Sequence, residues 1–372
     1  MVQKADGMNY APKGTSAPVV GPDDFRFAAM ALDHGHIYGQ CNGLIEAGAT
    51  LTTVYDPDPA KVDAFIKTFP QAQAVEDPRA ILEDDSIHLV AAAAVPSERG
   101  PLGCTVMRHG KDYFTDKCPF TTLEQLAEAR RTVAETGRKY MVYFSERLHN
   151  ESTVCAGDLV AQGAIGRVIQ VIGLGPHRLN APSRPAWFFE KARYGGILTD
   201  IGSHQIEQFL FFTGATAATI LHSTVGNFDN PEYPELEDFG DLSLVGDNGA
   251  MGYHRVDWFT PSGLSTWGDG RLFLVGTTGT IELRKYCDIA RDPAGDQVYL
   301  CNGDGERHIA ASGTVGFPFF GALIRDCLDR SQTAMTQEHA FLAAELCLLA
   351  QQQARVVSRD GGRPGPGAAG AS

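Results

Sequence analysis

The chain predicts an α/β fold in two parts. A doubly wound domain on a parallel sheet comes first, and an α/β domain with a large, mostly antiparallel open sheet follows. Three observations lead there. From Phe25 to Phe144 short apolar runs alternate with helical patterns, the signature of βαβ units. After about Asn150 strand-like runs succeed one another across turn signals such as Asp247-Asn248-Gly249 and Thr278-Gly279. The 372 residues, 43% hydrophobic and 20% charged, suffice for two or three ordinary globular domains.

Taken in order, residues 1–24 are polar, rich in Gly, Pro and Ser, and lack an apolar core, so they read as a flexible lead and not as a signal peptide or anchor. The first domain, 25–148, places strands at 26–32, 50–55, 87–94, 112–115 and 139–144. Helices lie between them near 36–47, 59–68, 98–109 and 122–136, the last opened by Thr122 with Glu124 in its first turn. The second domain, 149–358, starts with a helix at 151–162 and a strand at 167–174, then a loop of Arg, Pro and aromatic residues and a helix from Asp200 to Phe212. Strands follow near 217–225, 238–246, 250–259, 271–276 and 279–284, and helices at 318–329 and 337–357 close it. Residues 359–372 read as a disordered tail.

A formal net charge of −14 argues against nucleic acid or an anionic membrane as partner. No run approaches the ~18–20 apolar residues a spanning helix needs. The eight cysteines are scattered, with no C-x-x-C and no metal-ligand spacing. They predict reduced thiols in a cytoplasmic protein and no metal site.

The turn after the first strand reads Leu32-Asp33-His34-Gly35-His36-Ile37-Tyr38-Gly39. Of the glycines in a G-x-G-x-x-G dinucleotide turn, which let backbone amides approach a pyrophosphate at a helix N-terminus, Gly35 matches the middle one. Asp33 stands at the first position and Tyr38 at the third, so an ordinary βα turn is the competing reading. Asp56, ending the second strand 21 residues after Gly35, is placed to accept hydrogen bonds from a ribose and to repel a 2′-phosphate. That favours NAD over NADP.

Chemistry-bearing residues gather at the predicted strand ends. Ala94-Val95-Pro96-Ser97 follows the strand at 87–94, and Thr115-Asp116-Lys117-Cys118-Pro119 the strand at 112–115. Ligands of doubly wound folds bind outside the carboxyl ends of the strands, so Lys117 is placed to meet a reacting hydroxyl, unless it is a solvated charge. Gly195-Gly196 leads to Asp200 and His204, spaced four apart on one helix face. A histidine can take the proton of an alcohol while a carboxylate orients its ring. Arg178, Arg184, Trp187 and Arg193 concentrate positive and aromatic character in an acidic chain, which suits a sugar with an anionic substituent, or else a solvated loop. Cys118, beside Lys117, is either a packed thiol or a thiolate.

Together Gly35-His36-Ile37, Asp56, Val95-Pro96-Ser97, His109-Gly110-Lys111, Asp116-Lys117-Cys118-Pro119 and Gly195-Gly196 with Asp200 and His204 resemble the glucose–fructose oxidoreductase and myo-inositol dehydrogenase family, Gfo/Idh/MocA. The resemblance runs from Phe25 to Val357. It implies a Rossmann domain, a C-terminal domain whose open sheet serves oligomerisation into a homodimer or homotetramer, and carbohydrate substrates held between the two. It also implies NAD held by His34, Gly35, His36, Ile37, Asp56, Pro96, Asp116 and Lys117. Lys117, Asp200 and His204 become the catalytic trio, and Lys117, Arg178, Arg184, Trp187, Arg193, Asp200 and His204 the substrate-binding set. The sequence departs from the family in its degraded glycine turn, in Asp116 where the family's Glu-Lys-Pro motif has glutamate, and in Cys118 before the proline. The leading expectation is an NAD-dependent oxidoreductase acting on a secondary hydroxyl of a sugar, polyol or sugar derivative. The alternatives are an NAD-dependent glycoside hydrolase working by transient oxidation, elimination and re-reduction, and a non-catalytic sugar- and NAD-binding regulator.

Overall fold

A computed structural model describes residues 7–14, 16–291 and 294–358. The expected tail, 359–372, lies outside the described residues.

The first sheet holds six parallel strands: β1 (Arg26–Met30), β2 (Thr50–Tyr55), β3 (Gln73–Ala74), β4 (Leu89–Ala92), β5 (Asp112–Asp116) and β6 (Tyr140–Tyr143), in the order β3-β2-β1-β4-β5-β6. Strands β4, β5 and β6 are buried at every residue, as befits parallel strands covered on both faces. Helices α1 (His36–Glu46), α2 (Pro59–Thr68), α3 (Arg79–Leu82), α4 (Pro96–Arg108) and α5 (Leu123–Thr136) connect them. Local chemistry sets several ends. Asp58 caps α2 through Ala60 N with Pro59 at the first helical position, and Thr122 caps α5 through Gln125 N. The order reverses between β1 and β4, and the two loops meet there, His34 N donating to Ala93 O at 2.9 Å.

The second domain begins with α6 (Ser145–Leu148) and α7 (Glu151–Ala161), the latter capped by Asn150 through Thr153 N. Strand β7 (Val168–Pro176) precedes the short helices α8 (Lys191–Tyr194) and α9 (Ile197–Asp200) and the longer α10 (Gly202–Thr213). Strands β8 (Ala218–Asn227), β9 (Phe239–Gly246), β10 (Met251–Asp257), β11 (Arg271–Gly276), β12 (Gly279–Arg284), β13 (Gln297–Asn302) and β14 (Gly305–Ala310) follow, then α11 (Pro318–Asp329), α12 (Gln337–Gln352) and β15 (Arg355–Ser358). The nine strands line up β14-β13-β12-β11-β7-β10-β9-β8-β15, antiparallel except at β7/β10 and β8/β15. Helices α7, α9, α10 and α12 pack against this sheet. Burial alternates along β9 and β10, leaving Met251 and Tyr253 exposed between buried neighbours.

Three expectations change. The helix expected over 337–357 stops at Gln352, and β-branched Val356 and Val357 continue as a strand beside β8. Strands β13, β14 and the two-residue β3 were not expected. Of the expected flexible lead, residues 1–6 and 15 lie outside the described residues, and residues 7–14 and 16–24 lie across the body of the protein. Gly14 N donates to both carboxylate oxygens of Glu46 at 3.0 Å, and Val19 N to Ala47 O at 2.9 Å.

Candidate active site

Lys117 follows the carboxyl end of β5, and its turn is held by a residue that the sequence reading did not single out. Arg99, in the first turns of α4 and 1% exposed, donates from Nε to Ala94 O at 2.7 Å. Its Nη1 donates to the carbonyls of Lys117 and Cys118, and its Nη2 to Asp116 Oδ2 at 3.1 Å. The bond between Lys117 and Cys118 is cis. One buried guanidinium thus ties the loop after β4 to the loop after β5, the rigid fork being suited to several fixed acceptors at once.

From this turn the Lys117 ammonium reaches across to the Asp200 carboxylate of the second domain and bonds to it. Asp200 ends α9, which begins after Gly195 and Gly196 at φ 91° and 96°, a left-handed backbone that glycine adopts without a Cβ clash. A side chain on Gly196 would also stand 2.3 Å from Gln351 Cδ, whose amide holds the turn through Leu198 N. Burial raises the Asp200 pKa, but the charge and hydrogen bond of Lys117 outweigh it and keep the carboxylate below its usual range.

His204 lies one turn further, on α10, but Asp200 does not orient it. The carboxylate is bonded to Lys117, and among the described residues the His204 ring has no carboxylate partner and its sealed Nδ1 no hydrogen bond. Nε2 is not among the sealed, unpartnered atoms. Burial, then the charge of Lys117, push the histidine down to about 3 against the pull of Glu146, so the ring is neutral. His177, at the end of β7, is likewise pushed down to about 4 by burial.

Glu146 and Lys285 complete this wall. They form a buried pair at 2.8 Å, Lys285 also donating to Gln208 Oε1 at 2.6 Å and Gln205 Nε2 to Glu146 Oε2 at 3.0 Å. Burial raises Glu146, but Lys285 and the nearby histidines hold it well below the carboxylate range. Its Oε1 has no hydrogen-bond partner among the described residues. Glu146 follows β6, so the strand-end rule that selected Lys117 also applied to it. Arg99 and Lys285 carried no comparable signal.

On the cofactor side the topology fits a dinucleotide. The turn 31–35 enters α1 at the strand-order reversal, Asp56 follows β2, and Pro96 opens α4. The Asp56 carboxylate is turned inward, accepting from Leu32 N at 2.6 Å and Asp58 N at 2.9 Å. It therefore shapes the turn between β2 and α2. Asp33, an awkward neighbour for a pyrophosphate, is bonded to Lys61 Nζ at 2.6 Å. Ile37 is buried in the core. Asp116 lies 2.8 Å from His36 Nδ1 and 3.3 Å from His34 Nδ1. These three side chains are close enough for a metal ion, but the Arg99 guanidinium on Asp116 opposes a cation there, and they read as a hydrogen-bonded cluster.

The loop of positive charge is used differently from the expectation. Arg178 Nη2 donates to the carbonyls of Pro261, Leu264 and Thr266 at 3.0, 2.8 and 2.9 Å. Arg184 donates to Leu179 O and Arg178 O and stacks over Phe188 and Trp258. Arg193 lies beside Glu98 and Glu190, and Trp187 packs near Phe188. Arg178 and Arg184 tie the loop together, because a guanidinium serves several carbonyls as readily as an anion. Cys118 is buried against Tyr194 O and pushed up to about 12 by burial, so it is a thiol and not a thiolate. Glu207 is bonded to Arg147 and His339.

Known proteins share this architecture. A family model described as an oxidoreductase family with an NAD-binding Rossmann fold matches residues 31–144, and the GFO/IDH/MocA C-terminal domain model matches residues 155–282. The chain is 28% identical over 240 residues to scyllo-inositol 2-dehydrogenase (NAD(+)) of Bacillus subtilis, covering 63% of this chain and 66% of that one. It is 26% identical over 150 residues to D-xylose dehydrogenase of Paenarthrobacter nicotinovorans, covering 39% and 38%. The chain thus spans less than two thirds of either curated relative. A crystal structure from Erwinia carotovora atroseptica superposes with a TM-score of 0.87 at 50% identity, over 90% of this chain and all of that one. The chain belongs to the GFO/IDH/MocA family of oxidoreductases, whose N-terminal domain is an NAD-binding Rossmann fold.

Proposed function

We propose that the protein oxidises a secondary hydroxyl of a sugar or polyol with NAD. One observation carries this reading: the Lys117–Asp200 ion pair joins the two domains beside a neutral His204. Sugar and polyol relatives support the substrate class.

NAD, when bound against the turn 31–37, Asp56 and the start of α4, supplies the hydride acceptor. Lys117 donates a hydrogen bond to the reacting oxygen and stabilises its developing negative charge. Asp200 is a positioning residue that holds the ammonium in place. His204 accepts the hydroxyl proton at Nε2, and the buried charge of Glu146 favours the imidazolium that results. Arg178 and Arg184 are engaged with backbone carbonyls, which favours a neutral substrate over an anionic one.

The test is nicotinamide reduction by the purified protein with a panel of cyclic polyols and aldopyranoses. NADH formation with at least one member is expected. Release of an aglycone from glycosides without net NADH would instead favour redox-neutral hydrolysis. We also propose that copies associate through the open face of the second sheet, where Ile169, Leu221, Met251 and Tyr253 are exposed. The eight free thiols fit a reducing, cytoplasmic setting.

A further inference from the structure

We propose that residues 7–10 form a strap that competes with the cofactor's pyrophosphate, so that this chain gates its own cofactor site. The proposal rests on the reading of the turn 31–37 as a dinucleotide turn.

The strap touches both walls of the cleft. On the cofactor side it lies over the glycine whose missing side chain lets a pyrophosphate approach. A Cβ on Gly35 would stand 2.5 Å from Met8 O and 2.9 Å from Asn9 Oδ1, so the open space above the turn is filled by strap oxygens. Gly7 O accepts a hydrogen bond from His36 Nε2 at 2.9 Å, at the first residue of α1. Carbonyl oxygens at a helix N-terminus, one of them on a histidine N–H, stand where phosphate oxygens would be received.

On the substrate side Gly7 packs against His177 and Trp267, a Cβ there lying 3.1 Å from a carbon of each ring. Tyr10 sets its ring edge-on to Trp267 and Tyr286 at 5.8 and 5.4 Å between centroids, and its hydroxyl donates to His149 O at 3.0 Å. The strap thus roofs the space beside His177 as well as the turn. Its far end is fixed, since Gly14 is bonded to Glu46 and Val19 to Ala47. Residues 11–13 are the link between the anchored and the covering parts. A tethered segment competes at high effective concentration, so it weakens cofactor binding without high affinity of its own.

Three measurements on the full chain and two variants test this. Calorimetric titration with NAD is expected to give a Kd at least tenfold lower for a variant lacking residues 1–10. Gly7→Val, which drives a side chain into His177 and Trp267 and leaves the Rossmann domain untouched, is expected to move in the same direction. In the intact chain, amide hydrogen exchange of residues 7–10 is expected to rise on saturation with NAD. Equal affinity in all three proteins, or unchanged or stronger protection of residues 7–10 with NAD bound, overturns the strap and leaves the cofactor reading standing. Failure of every form to bind NAD overturns both.

Discussion

The two walls of the cleft are built on opposite terms. The chemical wall is already arranged: Arg99 fixes the Lys117 turn, Asp200 holds the ammonium, and Glu146 with Lys285 sets a buried field around a neutral His204. The cofactor wall has a single fingerprint glycine, an inward-turned Asp56 and a strap lying over it. In one the polar groups are held by fixed partners across the domain boundary. In the other, protein oxygens stand where a ligand is expected. The contrast is between a wall whose ion pairs are fixed in advance and one where, on the strap proposal, access to the cofactor stays adjustable.

Breaking the chemical wall gives the largest effect. Lys117→Ala is expected to lower kcat/KM by about 10³-fold or more through loss of charge stabilisation at the oxygen. It also strands the buried Asp200 carboxylate, at a stability cost of about 3–5 kcal/mol, so a thermal melt accompanies the kinetics. His204→Asn follows, with a loss of about 10²- to 10⁴-fold in kcat and a smaller change in KM. A variant of either residue that keeps full turnover removes the role assigned to it.

A pH series tests the burial of the histidines around the chemical wall. Burial pushes His149, His177, His204 and His254 down to about 3, 4, 3 and 3, whereas the unfolded chain titrates near 6.5. Between these values the unfolded state binds more protons, so stability is complete above about pH 6.5 and falls as pH drops below it. Asp296, pushed up to about 6 by burial, opposes part of this between its unfolded value and pH 6. Melting temperature measured from neutral pH downward is expected to decline before the ordinary carboxylates titrate. A flat profile down to about pH 4 would mean that these histidines are not buried as described.

The smallest effects belong to the arginine loop, and they sharpen the contrast between anchoring and binding. Arg178→Ala is expected to lower stability by about 1–3 kcal/mol, because three carbonyls lose their donor, while KM changes less than threefold. Arg193→Ala is expected to change neither quantity measurably, since its acidic neighbours lie at 3.7 and 3.9 Å on the surface. A tenfold rise in KM for either would restore the anionic-substrate expectation.

What the sequence revealed follows the physics of each region. The parallel strands were legible because β4, β5 and β6 are buried runs with helices between them. Lys117, Asp200 and His204 were legible because a strand end and a glycine turn leave recognisable patterns. Their pairing was not: a four-residue spacing places Asp200 near His204, yet an opposite charge from another domain has the stronger claim on the carboxylate. Edge strand β14, almost wholly exposed, has no apolar alternation to betray it. Residues 7–10 gave no signal because a short 3-10 turn held by carbonyl oxygens and aromatic edges needs no periodicity. Arg99 and Arg178 show that charge pattern alone does not tell a guanidinium that hooks carbonyls from one that meets a ligand.

The most direct test follows the hydride itself. A polyol or pyranose that the protein turns over is prepared with deuterium on the carbon bearing the reacting hydroxyl, and the nicotinamide is analysed by mass spectrometry after turnover with NAD. The account predicts that the deuterium appears in the reduced cofactor, with a turnover rate slowed by the isotope. Turnover in which the label remains on product or washes into solvent, with the cofactor unlabelled, would contradict it.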